Sequence, residues 1–312
     1  MGQFLDTIFD FNITKRRFPK PSKKDFQSVG EALHSRGVRS AADKVRMTLE
    51  ITHLGSGSRG NATLLQTEES KVLIDCGFSG RQMERRLARI GVAPDAIDAI
   101  LLSHHHTDHV QGADIFSRRH GAQLYANFTT CANLGFDPVN RCRIFEALER
   151  VQVTTDLSVL PIPVPHDGAE NVGFIVHSGS NERAAVVTDL GEPTDELIRH
   201  LKGCAHISIE ANYDAKRLAL GPYPPRLKAR ISGRGGHLSN QQTAELLAEI
   251  LGPQTKSVVL CHLSEKNNAP HLAESEALFR IENWSGDLRV STQEGPEFSH
   301  WLGQSQAEIL TR

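Results

Sequence analysis

The stretch Leu101-Leu-Ser-His-His-His-Thr-Asp-His109 decides how the rest of the chain is read. Ahead of it, residues 97–102 form an apolar run of strand length, and behind it residues 112–120 carry the pattern of a short helix. His104, His106, Asp108 and His109 therefore sit where a strand hands over to a helix, in a loop that can turn alternate side chains toward one point. Neutral imidazole and carboxylate are the donors that borderline divalent metals take, so the cluster predicts a metal site. An affinity tag is excluded by the interior position and by the apolar strand in front. His105, between the ligand positions, is read as non-ligating.

Working outward, three more polar residues share one position type. His166, Asp189 and His262 each lie just past an apolar, strand-like run, at residues 158–164, 184–188 and 257–261. In a layered α/β protein such strand ends gather at one edge of the sheets, where sites are commonly built. The run 71–75 ends in Asp75-Cys-Gly, and runs at 49–54, 61–66, 123–126, 172–177, 206–210 and 288–291 also have strand character. Helical patterns are expected over 79–90, 193–202, 226–231, 242–251 and 273–281, with Ser239 or Asn240 as N-cap before the fourth.

The order His-x-His-x-Asp-His, then His, Asp and His, resembles the ligand signature of the metallo-β-lactamase superfamily of hydrolases. The resemblance implies an α/β protein of the αββα four-layer sandwich type, with two divalent ions at one edge of the sheets. It assigns His104, His106 and His166 to one ion and Asp108, His109 and His262 to the other. Asp189 would bridge the two, and Asp75 would orient a ligand histidine from behind. Zinc suits the histidine-rich set best, and manganese or iron(II) also suit its carboxylates. Two such ions would activate a water between them as the nucleophile.

Four local strings narrow the match: Gly55-Ser-Gly-Ser-Arg-Gly-Asn-Ala62, Gly221-Pro-Tyr-Pro224, Gly236-His-Leu-Ser-Asn240 and His262-Leu-Ser-Glu-Lys-Asn-Asn-Ala-Pro270. Together they resemble the WalJ/YycJ-like branch, described as metal-dependent nucleases that act on DNA ends in the 5′ to 3′ direction. The likeness spans residues 49–292. It implies DNA as the substrate partner, with Asp108, Asp189 and His237 as the catalytic residues. His237 matches the histidine that related phosphodiesterases place near the leaving group, where an imidazolium can protonate the departing oxygen. One departure is Tyr213, which stands where the branch's pattern has histidine.

Substrate contacts are expected from two places. Ser56, Ser58 and Asn61 lie on a loop rich in glycine and small hydroxyls, which suits either an anion cradle or a tight hairpin connection. Arg226, Lys228, Arg230 and Arg234 lead up to His237 and would meet repeated phosphates, although a solvated helix face has the same pattern. Rival readings are a transfer-RNA 3′-end ribonuclease, for which no long recognition arm is evident, and a thioester or lactone hydrolase, which would not require His237. A non-catalytic scaffold fits poorly with an intact ligand set.

Composition is ordinary for a soluble globular protein. The chain has 312 residues, 39% hydrophobic and 23% charged, enough for a sizeable core. Its net charge of −2 gives no global pull toward nucleic acid, so polyanion binding must be local. No apolar run reaches the roughly 18 residues of a membrane span, and the N-terminus has no signal-peptide pattern. The five cysteines are scattered, odd in number and without C-x-x-C spacing, which points to a reducing, cytoplasmic setting. Residues 1–48 are set apart as a basic extension, with Lys15-Arg-Arg-Phe-Pro-Lys-Pro-Ser-Lys-Lys24 as its densest run, ahead of a hydrolase domain at 49–312. The extension is either an arm for a polyanion or partner, or an inert tail, and Met47 is a candidate start.

Overall fold

The computed structural model describes residues 49–303, apart from 138–139, 168, 180–181 and 296–297. The basic extension, including Met47, and residues 304–312 lie outside the described residues.

Strands β1 (Leu49–Gly55), β2 (Ala62–Gln66), β3 (Lys71–Ile74), β4 (Ala99–Leu101), β5 (Gln123–Ala126), β6 (Cys142–Ile144) and β14 (Ser299–Leu302) form one seven-stranded sheet, ordered β14-β1-β2-β3-β4-β5-β6. The second seven-stranded sheet, ordered β13-β12-β11-β10-β9-β8-β7, takes the rest. These are β7 (Val151–Gln152), β8 (Ser158–His166), β9 (Ala169–His177), β10 (Arg183–Val187), β11 (His206–Glu210), β12 (Ser257–Cys261) and β13 (Asp287–Val290).

The period of two along each strand builds the layers. Val72 and Ile74 of β3, Ala99 and Leu101 of β4, Val172, Phe174 and Val176 of β9, and Ala184 and Val186 of β10 share one buried cluster between the sheets. Their neighbours turn the other way: Leu73 and Ile100 meet helices on the outside of the first sheet, and Ile175, Ala185 and Val187 do so on the second. The first sheet is covered by Met83 and Leu87 of α1 (Gly80–Arg89) and by Ala113 and Phe116 of α3 (Ala113–His120). The second is covered by Leu197 and Leu201 of α5 (Asp195–Leu201), Leu246, Leu247 and Ile250 of α8 (Asn240–Ile250), and Ala273 and Ala277 of α9 (Pro270–Arg280). The result is the αββα sandwich expected from the sequence.

Strand direction places the site. β3, β4, β5 and β6 are mutually parallel, as are β10, β11, β12 and β13. β8 is antiparallel to β9, and β9 to β10, so β8 runs the same way as β10. Asp75, the motif after β4, His166, Asp189, Glu210 and His262 thus all stand at strand ends of this kind. Asp75, Asp189 and His262 turn off their strands in the left-handed region, with φ of 62°, 56° and 54°. Aspartate and histidine tolerate that conformation better than most L-residues, and backbone strain of this kind gathers at functional sites.

The segment after the motif differs from its expected single helix. A one-turn helix α2 (Thr107–Val110), with His106 at its N-cap, precedes α3, so Asp108 and His109 sit on helix rather than on loop. Further helices absent from the sequence reading are α4 (Phe128–Asn133) and α6 (Ala215–Leu220); α7 (Pro225–Ile231) was expected. Ser239 caps α8 through a reciprocal capping box with Gln242. All five cysteines are free and buried. Among the described residues, no helix is long and apolar enough to cross a membrane.

Candidate metal centre

The motif is held from behind before it offers anything to a metal. Asp75 accepts hydrogen bonds from the Ser103 backbone N–H at 2.9 Å and from the Ser103 hydroxyl at 3.0 Å. It also lies 2.7 Å from His109 Nδ1. A carboxylate only accepts, so Nδ1 carries the proton and His109 turns Nε2 inward, toward Asp189 Oδ2 at 2.8 Å and Asp108 Oδ2 at 3.5 Å. His166 is fixed in the same manner: Nδ1 donates to the Gly236 carbonyl at 2.9 Å, and Nε2 is left 3.5 Å from Asp189 Oδ1. Gly77 lets the chain close over the motif, because a Cβ there would run into the Asp108 carbonyl.

Side chains expected to share an ion come together. One ligand atom from each of His104, His106 and His166 lies within 4.8 Å of the others, and the same is true of Asp108, His109 and His262. Asp189 belongs to two further groups of that size, one with His104 and His109, the other with Glu210, His237 and His262. It thus lies between the two triads, where a bridging carboxylate would stand.

Burial tests whether these groups fit a cation. Asp189 Oδ2 and both ring nitrogens of His262 are buried with no hydrogen-bond partner, and the short His109–Asp189 contact lacks hydrogen-bond geometry. Leaving such atoms unpaired costs about 1–3 kcal/mol each, more if charged, whereas a metal ion would satisfy Asp189 Oδ2 and one of the two His262 nitrogens. The electrostatics agree. Burial opposes a proton on His109, yet Asp189, Asp75 and Asp108 raise its affinity well above the ordinary value. Against the same burial, Asp189, Asp108 and Glu210 push His262 up to about 10. Burial would lift Asp189 itself, but His262 and His109 hold it well below the carboxylate range. His104 goes the other way, driven down by burial and by His109. A field that attracts protons to ligand nitrogens is one that divalent cations neutralise.

Glu210 joins the cluster although no motif in the sequence marks it. It is fully buried at the end of β11, accepting from the Leu190 backbone N–H at 2.8 Å and from His237 Nδ1 at 2.8 Å. Its position type, an acid closing an apolar strand, is the one that drew attention to Asp189. His237 stacks near the ligands, its ring 5.0 Å from His166 and 5.4 Å from His262. Burial lowers proton affinity at His237, but the Glu210 carboxylate outweighs it and raises the net value. Tyr213 braces this loop from below: Asn240 N–H donates to its carbonyl at 2.9 Å, and it bridges to Ser239.

The expected substrate contacts fall less neatly. Ser56 and Asn61 are buried and face inward: the His262 N–H donates to Ser56 Oγ at 2.8 Å, and Asn61 Nδ2 lies 3.1 Å from His109 Nε2. Of that loop's candidates, Ser58 alone is exposed. In the basic cluster, Arg230 pairs with Asp167 at 2.5 Å and Arg234 with Glu192 at 2.8 Å. Lys228 donates to the Ala219 carbonyl at 2.6 Å, and Arg226 is exposed. Two of the four positive charges are thus partly offset by carboxylates that lie far away in the chain.

Comparison with known proteins places this geometry in a family. Residues 70–263 match a family model described as a Beta-lactamase superfamily domain. The chain is 36% identical over 226 residues to Exodeoxyribonuclease WalJ of Streptococcus pneumoniae, covering 70% of this chain and 83% of that one. It is 32% identical over 231 residues to Exodeoxyribonuclease YycJ of Bacillus anthracis, covering 73% and 87%. Among solved structures, the metallo-β-lactamase fold protein YhfI of Bacillus subtilis superposes with a TM-score of 0.63 at 16% identity, over 82% of this chain and 99% of that one, a likeness of fold. Two sheets, a ligand motif after the fourth strand and relatives matched over most of their length agree: the chain belongs to the metallo-β-lactamase superfamily of hydrolases, within its WalJ/YycJ group.

Proposed function

We propose that the chain is a metal-dependent exodeoxyribonuclease that removes nucleotides from DNA ends in the 5′ to 3′ direction. The observation that carries this reading is the Glu210–His237 pair set against the ligand cluster. Glu210 accepts the Nδ1 proton, so Nε2 is the atom of His237 left to hold a second one, and its proton affinity is raised. Breaking a phosphodiester expels an alkoxide, which needs a proton; a thiolate leaving a thioester needs none. His237 would deliver that proton, with Glu210 fixing the ring and stabilising its charged form.

His104, His106 and His166 would hold one ion, Asp108, His109 and His262 the other, and Asp189 both. Zinc is the metal proposed, because most of the donors are imidazoles. Once bound, the ions supply an activated water and offset charge on the phosphate. The names of the relatives support DNA over RNA. The test is a substrate panel on metal-reconstituted protein: end-labelled duplex, single-stranded DNA, RNA and a thioester. Release of nucleotides from DNA is expected. Turnover of the thioester with no cleavage of DNA would overturn the reading.

A further inference from the structure

Beside the metal ligands lies a cavity of about 670 Å³ that the chemistry above does not use. Pro163, Pro165 and Val172 form apolar wall, and Phe128, at the start of α4, stands at its edge with 64% of its surface exposed. Two wall residues are joined to the site itself. Pro165 immediately precedes His166 and accepts from the Gly191 N–H at 2.8 Å; Asn171 donates through Nδ2 to the Asp189 carbonyl at 2.8 Å. The cavity is therefore continuous with the backbone that carries two of the ligands.

Charge restricts what can enter. Glu146 and Glu170 are exposed at the cavity, and Glu196 also contributes to its lining. These carboxylates repel phosphate and favour a neutral group with N–H donors. A volume of this size admits a nucleobase with its sugar. An exposed aromatic ring next to apolar wall offers the face on which a base stacks. We infer that the cavity receives the base of the nucleotide adjoining the scissile phosphate, unstacked from its strand and laid against Phe128. The inference rests on the nuclease reading and specifies how that substrate is held. Enzymes that do chemistry on a base pay for drawing it out of the stack by holding it in a pocket; a terminal nucleotide has one stacking neighbour fewer to give up, and stacking on the protein offsets what is lost from the helix.

The experiment uses the full-length, metal-loaded enzyme and a duplex whose terminal nucleotide is either intact or abasic. Phe128→Ala should lower kcat/KM on intact DNA by about 10- to 100-fold, the scale of one lost base–aromatic stack. Its penalty on the abasic end should be at least tenfold smaller, and Phe128→Trp should restore the intact substrate. Equal penalties on the two ends, or none on either, would overturn the inference while leaving the nuclease reading in place. A wild-type enzyme that cleaves no DNA would instead overturn the nuclease reading and this inference with it. Thioester turnover sensitive to Phe128→Ala would assign the cavity to an acyl chain.

Discussion

At the residue scale, His237 and His262 look alike in sequence and differ in what surrounds them. His262 ends a buried strand with both nitrogens unpartnered, whereas His237 has one nitrogen committed to Glu210. The first is the environment of a ligand and the second that of an oriented acid. His237→Ala should therefore keep both metals while slowing DNA cleavage about 10²- to 10⁴-fold. A diester with a p-nitrophenolate leaving group needs little protonation and should lose far less. Glu210→Gln keeps the shape but removes the charge, and should show part of the same contrast. Equal losses on both substrates, read as kcat/KM, would make His237 a phosphate-positioning group; loss of a metal would make it a ligand. The rule that found His166, Asp189 and His262, a polar residue ending an apolar strand, applies equally to Glu210. It was passed over because the run His206–Glu210 reads as a uniformly buried strand. The partners of Arg230 and Arg234 were not legible at all, since Asp167 and Glu192 approach them only through the fold.

At the scale of elements, the apolar strand runs were legible, the four-residue β5 and β13 included, whereas β6, β7 and β14 were not. β8 was expected to stop at Val164, but its ladder with β9 continues to His166. Pro161, Pro163 and Pro165 alternate along it, and their shared parity points the missing N–H groups away from β9. On that side the Pro161 and Pro165 carbonyls accept from Leu148 and Gly191. β14 has four residues and pairs with β1 from the far end of the chain, Leu49 opposite Leu302, so no local pattern announces it.

Where β1 and β11 face each other between the sheets, the core is polar. His53 Nδ1 meets Thr63 Oγ1 at 3.0 Å and Nε2 meets Ser208 Oγ at 2.8 Å; Ser208 in turn reaches His206 Nε2 at 2.8 Å. Hydroxyls satisfy a neutral ring, and burial together with His300 drives the His53 value down to about 3. The sign follows from linkage. Above the ordinary value of 6.5 both folded and unfolded His53 are neutral, and its contribution is fully present. As pH falls below 6.5 the unfolded chain takes up a proton that the fold rejects, and stability is lost. Metal-free His53→Gln, which keeps a donor and an acceptor, should lose stability less steeply than wild type between pH 6.5 and 4, by about 1.4 kcal/mol per pH unit. Identical slopes in urea unfolding would remove a neutral buried His53 from the account.

At the scale of the whole molecule, the sandwich brings the C-terminal ends of strands from both sheets together, and residues spread from Asp75 to His262 meet there. The layer order, and the meeting of the histidines and aspartates expected to bind metal, were legible through the spacing of the histidines and its resemblance to a family. Strand order and the cavity beside Phe128 were not, because each arises from contacts between distant segments; the one-turn helix under Asp108 is too short to show a helical period. Under the proposed function, two ions held in this one cluster would drive hydrolysis of DNA. The decisive measurement titrates metal-free protein with Mn²⁺ or Zn²⁺ while counting nucleotides released from end-labelled duplex. Activity should climb to a plateau at two ions per chain and vanish in chelator; a plateau at one ion, or cleavage that survives the chelator, would contradict it.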